Sequence, residues 1–388
     1  MDFDVVIAGG GLAGAAMAIA LRRSRLRVAV IEARVPIMPS AGWDQRIYAI
    51  TPANQAFLEE LGCWKHLDKT RMTPVVEMVV RGDGDGLLRF NAYDEGLTEL
   101  AWIVESGLMQ YEFWETLRRQ HNVEIFAPAS VEAMAVSANA AQVTLDDGRV
   151  ITAKLVVGAD GVASKIRTMA DIDFDVTPYR QSAVVANFHC EKPHRDVAYQ
   201  WFSDMGVLAY LPLPGNMMSM VWSVETAMAE RLLKLDAAAL CDLVASTGDG
   251  TLGALRLETP AAAFPLRLLR VSAYVKPRVA LIGDAAHAIH PLSGHGINLG
   301  FQDARVLAQR LQALPAWRDP GDLQVLRGYA RERAEEPFLL QYGTHALSRL
   351  FGSNNMLYGT LRNAGMNLTD RFPVLKSMFV RYATNRKF

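Results

Sequence analysis

The segment Gly9-Gly10-Gly11-Leu12-Ala13-Gly14 carries glycines at the spacing G-x-G-x-x-G. In this pattern the first glycine allows a tight turn, the second lets the backbone approach a pyrophosphate, and the third lets a helix pack closely on a strand. The start of that helix offers free N–H groups and partial positive charge to phosphates. Glu32 follows Gly11 by 21 residues, and a carboxylate there can accept hydrogen bonds from ribose hydroxyls. These residues predict a dinucleotide site and leave open whether NAD or FAD occupies it.

Two further segments end an apolar run with glycine and aspartate. They are Gly158-Ala159-Asp160-Gly161 and Gly283-Asp284. At the carboxyl edge of a parallel sheet, where α/β folds bind ligands, such a carboxylate meets the ligand. We expect Asp284 to hydrogen-bond a sugar-like hydroxyl of an extended cofactor. The glycine-rich run 294–300 then precedes a helix whose start, near Asn298, would stabilise negative charge on a ring placed beside it.

The predicted strands and helices around these motifs alternate in a regular order. Residues 4–8 and 27–33 are buried-strand patterns on either side of an Ala- and Leu-rich helical stretch, 12–25, which predicts a β-α-β unit. Residues 181–225 instead contain aromatic and β-branched runs broken by Pro and Gly, which indicate antiparallel strands. A buried-strand pattern returns at 278–286, and a helix is predicted near 297–314. The prediction is an α/β fold: a Rossmann-like domain with an inserted, mainly antiparallel β-sheet domain and a helical C-terminal region.

Composition excludes several classes of protein. The chain has 388 residues, 51% of them hydrophobic, and its 40 basic and 41 acidic residues leave a net charge of −1. The chain lacks the overall positive charge that would indicate a nucleic-acid partner. The three cysteines, Cys63, Cys190 and Cys241, are widely spaced and form no CxxC, which argues against a disulfide framework and a structural zinc site and for reduced thiols in the cytoplasm. We expect neither a signal peptide nor a membrane-spanning helix.

Taken together, the motifs resemble those of the class A, FAD-dependent aromatic monooxygenases of the para-hydroxybenzoate hydroxylase fold. Within that group the chain resembles the ubiquinone-biosynthesis hydroxylase family. The resemblance covers nearly the whole chain and rests on residues 9–14 with Glu32, 102–117, 158–167 and 283–304. It implies FAD as the bound cofactor, with NAD(P)H and O₂ as co-substrates.

The resemblance also implies a division of the chain. The FAD-binding domain would comprise residues 1–72, 105–175 and 270–340, the substrate domain residues 73–104 and 176–269, and the helical C-terminal region residues 341–388. The residues implied to bind FAD are Gly9, Gly11, Gly14, Glu32, Arg46, Gln110, Asp160, Gly283, Asp284, Pro291, Gly294, Gly296 and Asn298. Of these, Arg46 would meet the cofactor near its pyrophosphate. The chain departs from the family where relatives read Glu-Asn-Arg and Gly-Gln-Gly, since it has Glu105-Ser106-Gly107 and Gly294-His295-Gly296.

Three histidines lie within nine residues: His287, His290 and His295. They form no helical i, i+4 pair and no cysteine or paired acid joins them, so no metal site is predicted. We expect His287 and His290 to be structural partners of their loop. His295 falls where the flavin ring would lie and is therefore a candidate for proton handling, with Pro291 as a second catalytic candidate at the flavin edge.

Two other features allow more than one interpretation. The aromatic residues Trp201, Phe202, Tyr210 and Trp222 are typical of a sheet core, although some of them would also suit the wall of an aromatic pocket. From residue 338 onward there are seven basic residues and one acidic residue, and an apolar helix face is predicted along 375–382. That stretch is either a packed helix with a solvated face or a membrane-docking helix, and the resemblance favours docking.

The resemblance implies hydroxylation of the aromatic ring of a polyprenylated phenol or quinone precursor of ubiquinone, through a flavin C4a-hydroperoxide. It implies a protein in the cytoplasm, at the inner face of the cytoplasmic membrane, with other ubiquinone-biosynthesis proteins as partners. Alternatives are a hydroxylase of another aromatic substrate, a flavoprotein reductase or dehydrogenase of isoprenoids, an NAD-dependent dehydrogenase that uses the first motif alone, and a non-catalytic subunit that keeps FAD for stability.

Overall fold

The structure is a computed structural model, and it describes residues 1–333 apart from residues 40, 83, 85 and 289–295. The predicted C-terminal helical region, its basic stretch, His290 and the three candidates Pro291, Gly294 and His295 therefore lie outside the described residues. In the part of the chain that is described, no helix is both long enough and apolar enough to cross a bilayer.

The described residues form β-strands, α-helices and short 3₁₀ helices. The strands are β1 (Phe3–Ala8), β2 (Val28–Ile31), β3 (Ile47–Ile50), β4 (Thr73–Val75), β5 (Glu77–Arg81), β6 (Leu87–Asn91), β7 (Ala101–Glu105), β8 (Val123–Phe126), β9 (Val131–Val136), β10 (Ala141–Leu145), β11 (Val150–Gly158), β12 (Phe174–Cys190), β13 (Val197–Ser203), β14 (Gly206–Leu213), β15 (Met217–Glu225), β16 (Leu255–Leu257), β17 (Ala262–Val271), β18 (Val275–Lys276), β19 (Val279–Leu281) and β20 (His287–Ala288). The α-helices are α1 (Leu12–Ala20), α2 (Pro52–Leu61), α3 (Ser106–Arg118), α4 (Lys165–Met169), α5 (Thr226–Leu232), α6 (Ala237–Thr247) and α7 (Gly296–Gln312), and residues 323–333 are also helical. Short 3₁₀ helices span Leu21–Arg23, Trp64–His66, Lys69–Arg71, Tyr93–Glu95 and Gly283–Ala285.

The first sheet contains eight strands within the described residues, in the order β18-β19-β11-β1-β2-β8, with β10 on β11 and β9 on β10. The strands β19, β11, β1, β2 and β8 run parallel. Alternate residues of β1 face two different apolar layers: Val5 packs with residues of α1, α3 and α7, and Val6 packs with residues of β10 and α4. Burial on both faces explains why β1 and β2 are continuous apolar runs, as the sequence predicted.

The helix α1 is shorter than predicted. It ends at Ala20, and a 3₁₀ turn replaces its last turn. The Ser24 hydroxyl and the Ser24 N–H both donate to the Leu21 carbonyl, at 2.7 and 2.9 Å. Those two bonds close the turn, because a serine side chain that satisfies the backbone competes with helix continuation.

The second sheet contains nine strands within the described residues, in the order β20-β17-β12-β15-β14-β13-β5-β6, with β16 on β12. Its pairs are antiparallel apart from the parallel pair of β13 and β5. One face packs on α5 and α6 and buries Trp201, Tyr210 and Trp222. The prediction of an aromatic sheet core is therefore confirmed for these three residues, whereas Phe202 packs separately against Val80.

A third sheet was not predicted. Its strands β3, β7 and β4 are antiparallel and pack against the nine-stranded sheet through Val75, Ile103 and Met217. The predicted FAD-binding and substrate segments thus both contribute strands here, since β3 lies within 1–72 and β7 within 73–104 apart from its last residue. The domain boundaries themselves stay a prediction.

Candidate functional site

The first glycine motif forms the turn between β1 and α1. Gly9 has a φ of +105°, and a Cβ placed on it would lie 2.3 Å from the Ala159 carbonyl oxygen. A Cβ on Gly14 would lie 1.9 Å from the Gly9 carbonyl oxygen. Because both neighbours are backbone atoms, neither position has room for a side chain, and the turn is held against the next parallel strand.

Gly11 differs from these two glycines, because its surroundings are open. A Cβ there would meet no described atom within 4 Å. Gly11 is the N-cap of α1, no side chain caps that helix, and its first turn holds no acidic residue. The first N–H groups of a nine-residue helix therefore face open space, and this arrangement favours an anion.

Glu32 and Gln110 both hold this turn. Glu32 directly follows β2, is half-buried, and accepts the Gly10 N–H at 2.6 Å and the Arg34 N–H at 3.0 Å. Gln110 lies on α3, and its Nε2 donates to the Gly10 carbonyl at 2.8 Å. The carboxylate is thus fixed at the end of β2, where its remaining lone pairs are available to a ribose.

The second motif abuts the first. The Ala159 N–H donates to the Ala8 carbonyl at 2.8 Å, directly beyond the end of β11. Asp160 accepts the Ile166 N–H at 3.1 Å through Oδ2, whereas its Oδ1 is buried with no partner among the described residues. An orphaned acceptor is costly to bury and therefore marks a place where a ligand or ordered water donates a hydrogen bond.

The third motif presents Asp284 to open space. Gly283 has a φ of +58°, and the Asp284 side chain that follows is exposed. Even so, surrounding protein atoms desolvate this carboxylate and raise its pKa, while the charges of His287 and Arg46 act in the opposite direction. Protein atoms thus lie close enough to desolvate this exposed carboxylate, as they would around a group that contacts a ligand. We call the open space that Gly11, Asp284 and Arg46 border the groove.

Arg46 lies next to the nine-stranded sheet. It directly precedes β3, is exposed, and its guanidinium carbon lies 4.8 Å from the centroid of the Phe264 ring. Its backbone N–H donates to Asp44 at 2.9 Å. Arg46 therefore contacts the antiparallel sheet, and its positive charge acts on the Asp284 carboxylate. A cation in this position is consistent with a role near cofactor phosphates.

The structure brings the three motifs together. A Cβ built on Gly283 would lie 3.4 Å from the Cβ of Ala13, and one built on Gly300 would lie 3.3 Å from it. The Ile282 N–H donates to the Gly158 carbonyl at 2.9 Å. The sequence did not predict the side chain that links the second and third motifs, Arg167, which is buried and donates to the carbonyls of Val162 and Ala285, each at 2.9 Å.

Asn298 has an anchoring role that its predicted position did not suggest. It is 1% exposed, its Oδ1 accepts from Asn54 at 2.9 Å and from the Thr51 N–H at 3.0 Å, and its Nδ2 donates to Ala49 at 2.8 Å. The side chain thus ties α7 to β3 and α2. Gly296 begins α7, and a Cβ there would meet no described atom within 4 Å.

The segment Glu105-Ser106-Gly107, where the chain departs from the resemblance, orients the neighbourhood of Arg46. Glu105 is 2% exposed and binds Arg71 through both carboxylate oxygens, at 2.7 and 2.8 Å. It also accepts the Asp44 N–H at 2.7 Å, and Asp44 in turn accepts the Gly107 N–H at 2.8 Å. Although its residues differ from those of the family, this segment therefore forms a packed turn at the start of α3.

A buried charged cluster, which the sequence did not predict, lies beneath the third motif. Asp303 on α7 is fully buried and pairs with His287 and Arg333, each at 2.7 Å. This contact agrees with the structural role expected of His287. The available signal was an acid that interrupts the buried stripe Leu299, Leu307 and Leu311 at intervals of four residues. Within the described ranges, no group of three or more His, Cys, Asp or Glu side chains is arranged to hold a metal ion.

One face of the nine-stranded sheet borders the groove. Val221 lies opposite Val185 and Ala209, and directly paired residues share a face of the sheet. Val221 and Ala209 are partly exposed although they lie on central strands, whereas Trp222 on the reverse face is fully buried. Phe264, whose ring contacts the Arg46 guanidinium, lies on the same face because it pairs with Ala183. The groove thus has a polar side at the strand ends and an apolar side on this sheet.

These features fit FAD. The open space at Gly11 suits a phosphate, the fixed Glu32 carboxylate suits a ribose, and the orphaned oxygen of Asp160 and the groove-facing Asp284 suit donors farther along an extended cofactor.

Comparisons with known proteins agree with this geometry. The family model described as "FAD binding domain" matches residues 2–337. Ubiquinone hydroxylase UbiL of Rhodospirillum rubrum is 35% identical over 98% of this chain and 89% of its own, and 3-demethoxyubiquinol 3-hydroxylase of Escherichia coli is 33% identical over 98% of both. The crystal structure of PqsL from Pseudomonas aeruginosa, a probable FAD-dependent monooxygenase, superposes with a TM-score of 0.78 at 26% identity and covers 95% of this chain and 100% of its own. This chain is thus a member of the FAD binding domain family and an FAD-dependent aromatic hydroxylase.

Proposed function

We propose that this enzyme hydroxylates the ring of a polyprenylated phenol or quinone precursor in ubiquinone biosynthesis, with NAD(P)H and O₂ as co-substrates. The observation that carries the proposal is the 35% identity to a ubiquinone hydroxylase along 98% of the chain. Likeness of that extent includes the strands that border the groove as well as the glycine motifs, so it bears on the substrate as well as on the cofactor.

The residues proposed to hold FAD divide by the part of the cofactor they would meet. Gly9, Gly11, Gly14 and Glu32 would hold its ADP half, and Gln110 would act through the Gly10 carbonyl that it binds. Arg46, Asp160, Gly283 and Asp284 would line its middle. Gly296 and Asn298 would border the ring from the start of α7, with the Asn298 side chain acting as an anchor. Pro291, Gly294 and His295 lie outside the described residues, and their cofactor and catalytic roles stay predictions.

When bound, FAD supplies the redox chemistry that uses NAD(P)H and O₂. The chain's own contribution is to bind, orient and exclude water. The positive end of α1 and the Arg46 guanidinium would balance cofactor phosphates. The apolar surface of Val185, Ala209 and Val221 would pack against a ring and keep water from it.

A second candidate is hydroxylation of a different aromatic substrate. PqsL, at 26% identity, is solved in complex with 2-aminobenzoylacetate, so the same architecture serves another ring in that protein. A groove face built from small apolar residues such as Ala183 and Ala209 is compatible with more than one ring.

We also propose that the enzyme works at the cytoplasmic face of the membrane, with other ubiquinone-biosynthesis proteins. The support is chemical: a polyprenylated substrate partitions into lipid, and basic residues near an anionic surface each contribute about 1 kcal/mol to binding. The basic stretch that would provide this contact begins at residue 338.

The test uses the purified FAD-loaded protein with isotopically labelled O₂, NADH or NADPH, and a phenol that carries a short isoprenoid tail. We expect substrate-stimulated consumption of NAD(P)H and a ring-hydroxylated product that contains the label. A reduced product formed without O₂ would instead identify a reductase. Turnover of simple phenols with rejection of every isoprenoid-bearing phenol would favour the second candidate.

A further inference from the structure

Among the described residues, three groups donate hydrogen bonds to the Asp303 carboxylate. Its Oδ2 accepts from the Gly283 backbone N–H at 2.9 Å and from His287 Nε2 at 2.7 Å. Its Oδ1 accepts from Arg333 Nε at 2.7 Å. All of these side chains are nearly or fully buried. A surface ion pair would contribute little, but a buried, fully bonded carboxylate fixes the groups around it.

One of those groups is the turn that carries Asp284. Gly283 has a φ of +58°, and a Cβ built on it would lie 3.4 Å from the Cβ of Ala13 on α1. Its N–H is taken by Asp303 on the other side. The turn is thus held between α1 and α7, and the side chain of the next residue, Asp284, is exposed.

The cluster keeps its charge inside the protein. Desolvation by itself would raise the pKa of Asp303, but the charges of His287 and Arg333 and their hydrogen bonds lower it overall. Asp303 therefore stays ionised and remains an acceptor for the glycine N–H. Arg333 is held in place by a further bond, at 3.1 Å, to Gln302.

We propose that Asp303 is a positioning residue for FAD, which acts by fixing the Gly283 turn so that the Asp284 carboxylate points into the groove. The inference rests on FAD binding and on the proposed placement of Asp284, and it is independent of which ring the enzyme hydroxylates. An FAD-binding readout without any substrate therefore tests it separately from the proposed function.

A matched control exists in the same chain. Asp319 accepts the Gly321 N–H at 2.8 Å and pairs with Arg278 at 2.7 Å. Like Asp303, it accepts a glycine N–H and pairs with an arginine, but that arginine, Arg278, also donates to the carbonyls of Lys154, in the middle of β11, and of Ala138, between β9 and β10. Asp319→Asn removes a carboxylate with the same two kinds of partner without touching the cofactor turn; Asp319 is 37% exposed, whereas Asp303 is fully buried.

The experiment measures the Kd of FAD for the apoprotein by flavin fluorescence quenching, well below the melting temperature of each variant. We expect Asp303→Asn to weaken FAD binding about tenfold and Asp319→Asn to leave Kd within about twofold, although both lower Tm. If Asp303→Asn does not fold, His287→Gln, whose amide can still donate to Asp303, replaces it with an expected loss of about threefold. Equal Kd values for the Asp303 (or His287) variant and the Asp319 variant would overturn the proposal.

A double-mutant cycle with Asp284→Asn separates positioning from general destabilisation. If Asp303 acts through Asp284, its substitution should weaken FAD binding by less than about threefold in the Asp284→Asn background. The same cycle is run with His287→Gln where that variant is used, and the loss should again shrink. A loss of the same size in both backgrounds would mean that the cluster supports the fold alone, and the proposal would be rejected.

Discussion

The two sides of the groove are built from different parts of the polypeptide. On the side of the eight-stranded sheet the groups that face the groove are backbone N–H groups and carboxylates at strand ends, and their placement depends on glycines with backbone atoms 1.9 to 2.3 Å from any added Cβ. On the side of the nine-stranded sheet the groove is bordered by side chains such as Val221 and Ala209, and the reverse face is a buried core around Trp222.

The two sides of the groove are expected to tolerate substitutions differently. We call the turn at Gly9 and Gly14, which is closed by contacts between backbone atoms, the backbone cradle. An added methyl group disrupts it, because the neighbouring backbone atoms cannot move without moving a strand. A sheet face can exchange one apolar side chain for another while the core on the opposite face keeps the sheet in place. The cofactor side is therefore expected to be inflexible in sequence, and the substrate side to be where related enzymes differ.

The largest expected effect tests the backbone cradle. Gly14→Ala places a methyl group 1.9 Å from the Gly9 carbonyl oxygen, so the purified variant should lose bound flavin at least about tenfold, and its Tm should fall. Absorbance of bound flavin per protein and thermal unfolding measure both effects.

Gly11→Ala is the companion variant. Its φ of −63° suits alanine, and no described atom lies within 4 Å of the new methyl group. The Tm of the apoprotein should stay within about 1 °C, whereas FAD binding should weaken because the methyl group occupies the space proposed for a phosphate. Unchanged affinity for FAD in Gly11→Ala would place the phosphate elsewhere.

A change in the core behind the substrate side should have the opposite signature. Trp222 is fully buried, so Trp222→Ala should lower the free energy of unfolding by about 3–5 kcal/mol through lost contacts and a cavity. The Kd of FAD, measured below the Tm of the variant, should remain within about twofold.

The neighbouring residue supplies the control for that substitution. Val221 points to the groove instead, so Val221→Ala should cost less than about 1.5 kcal/mol of stability and should raise KM for the ring substrate. If Val221→Ala left KM unchanged while Trp222→Ala raised it, the assignment of the two faces would be reversed.

The smallest expected effect concerns the charge of Asp284. Desolvation raises its pKa in the folded protein, so the ionised form costs stability at every pH above its unfolded value, and stability should increase as pH falls from the folded pKa towards that value. Asp284→Asn removes this cost, and the Tm of the apoprotein at pH 7 should therefore rise, by about 1 °C. FAD affinity should fall in the same variant. A Tm that decreased at pH 7 would contradict the inferred desolvation.

Much of the fold could be predicted because its signals are local. Residue order predicts the buried runs at β1 and β2, the strands β13, β14 and β15, and the start of α7. Periodicity and turn residues act within a few positions of the chain. The three-stranded sheet escaped prediction, because β3, β4 and β7 are short and their pairing depends on contacts between distant segments.

The glycine motif alone predicts the turn between β1 and α1, since a Cβ on Gly14 would lie 1.9 Å from the carbonyl oxygen of Gly9, five residues earlier, and Gly9 has a φ of +105°. The close contact of Gly9 with Ala159 depends instead on a distant strand. Which side chains join the glycine turns depends on contacts between distant segments. Arg167 reaches the carbonyl of a residue 118 positions away, and Asp303 binds partners 16 to 30 residues distant on three different elements. Such partners are selected by packing: an ionised group can be buried only where the fold supplies its hydrogen bonds, and no local pattern encodes where that will be.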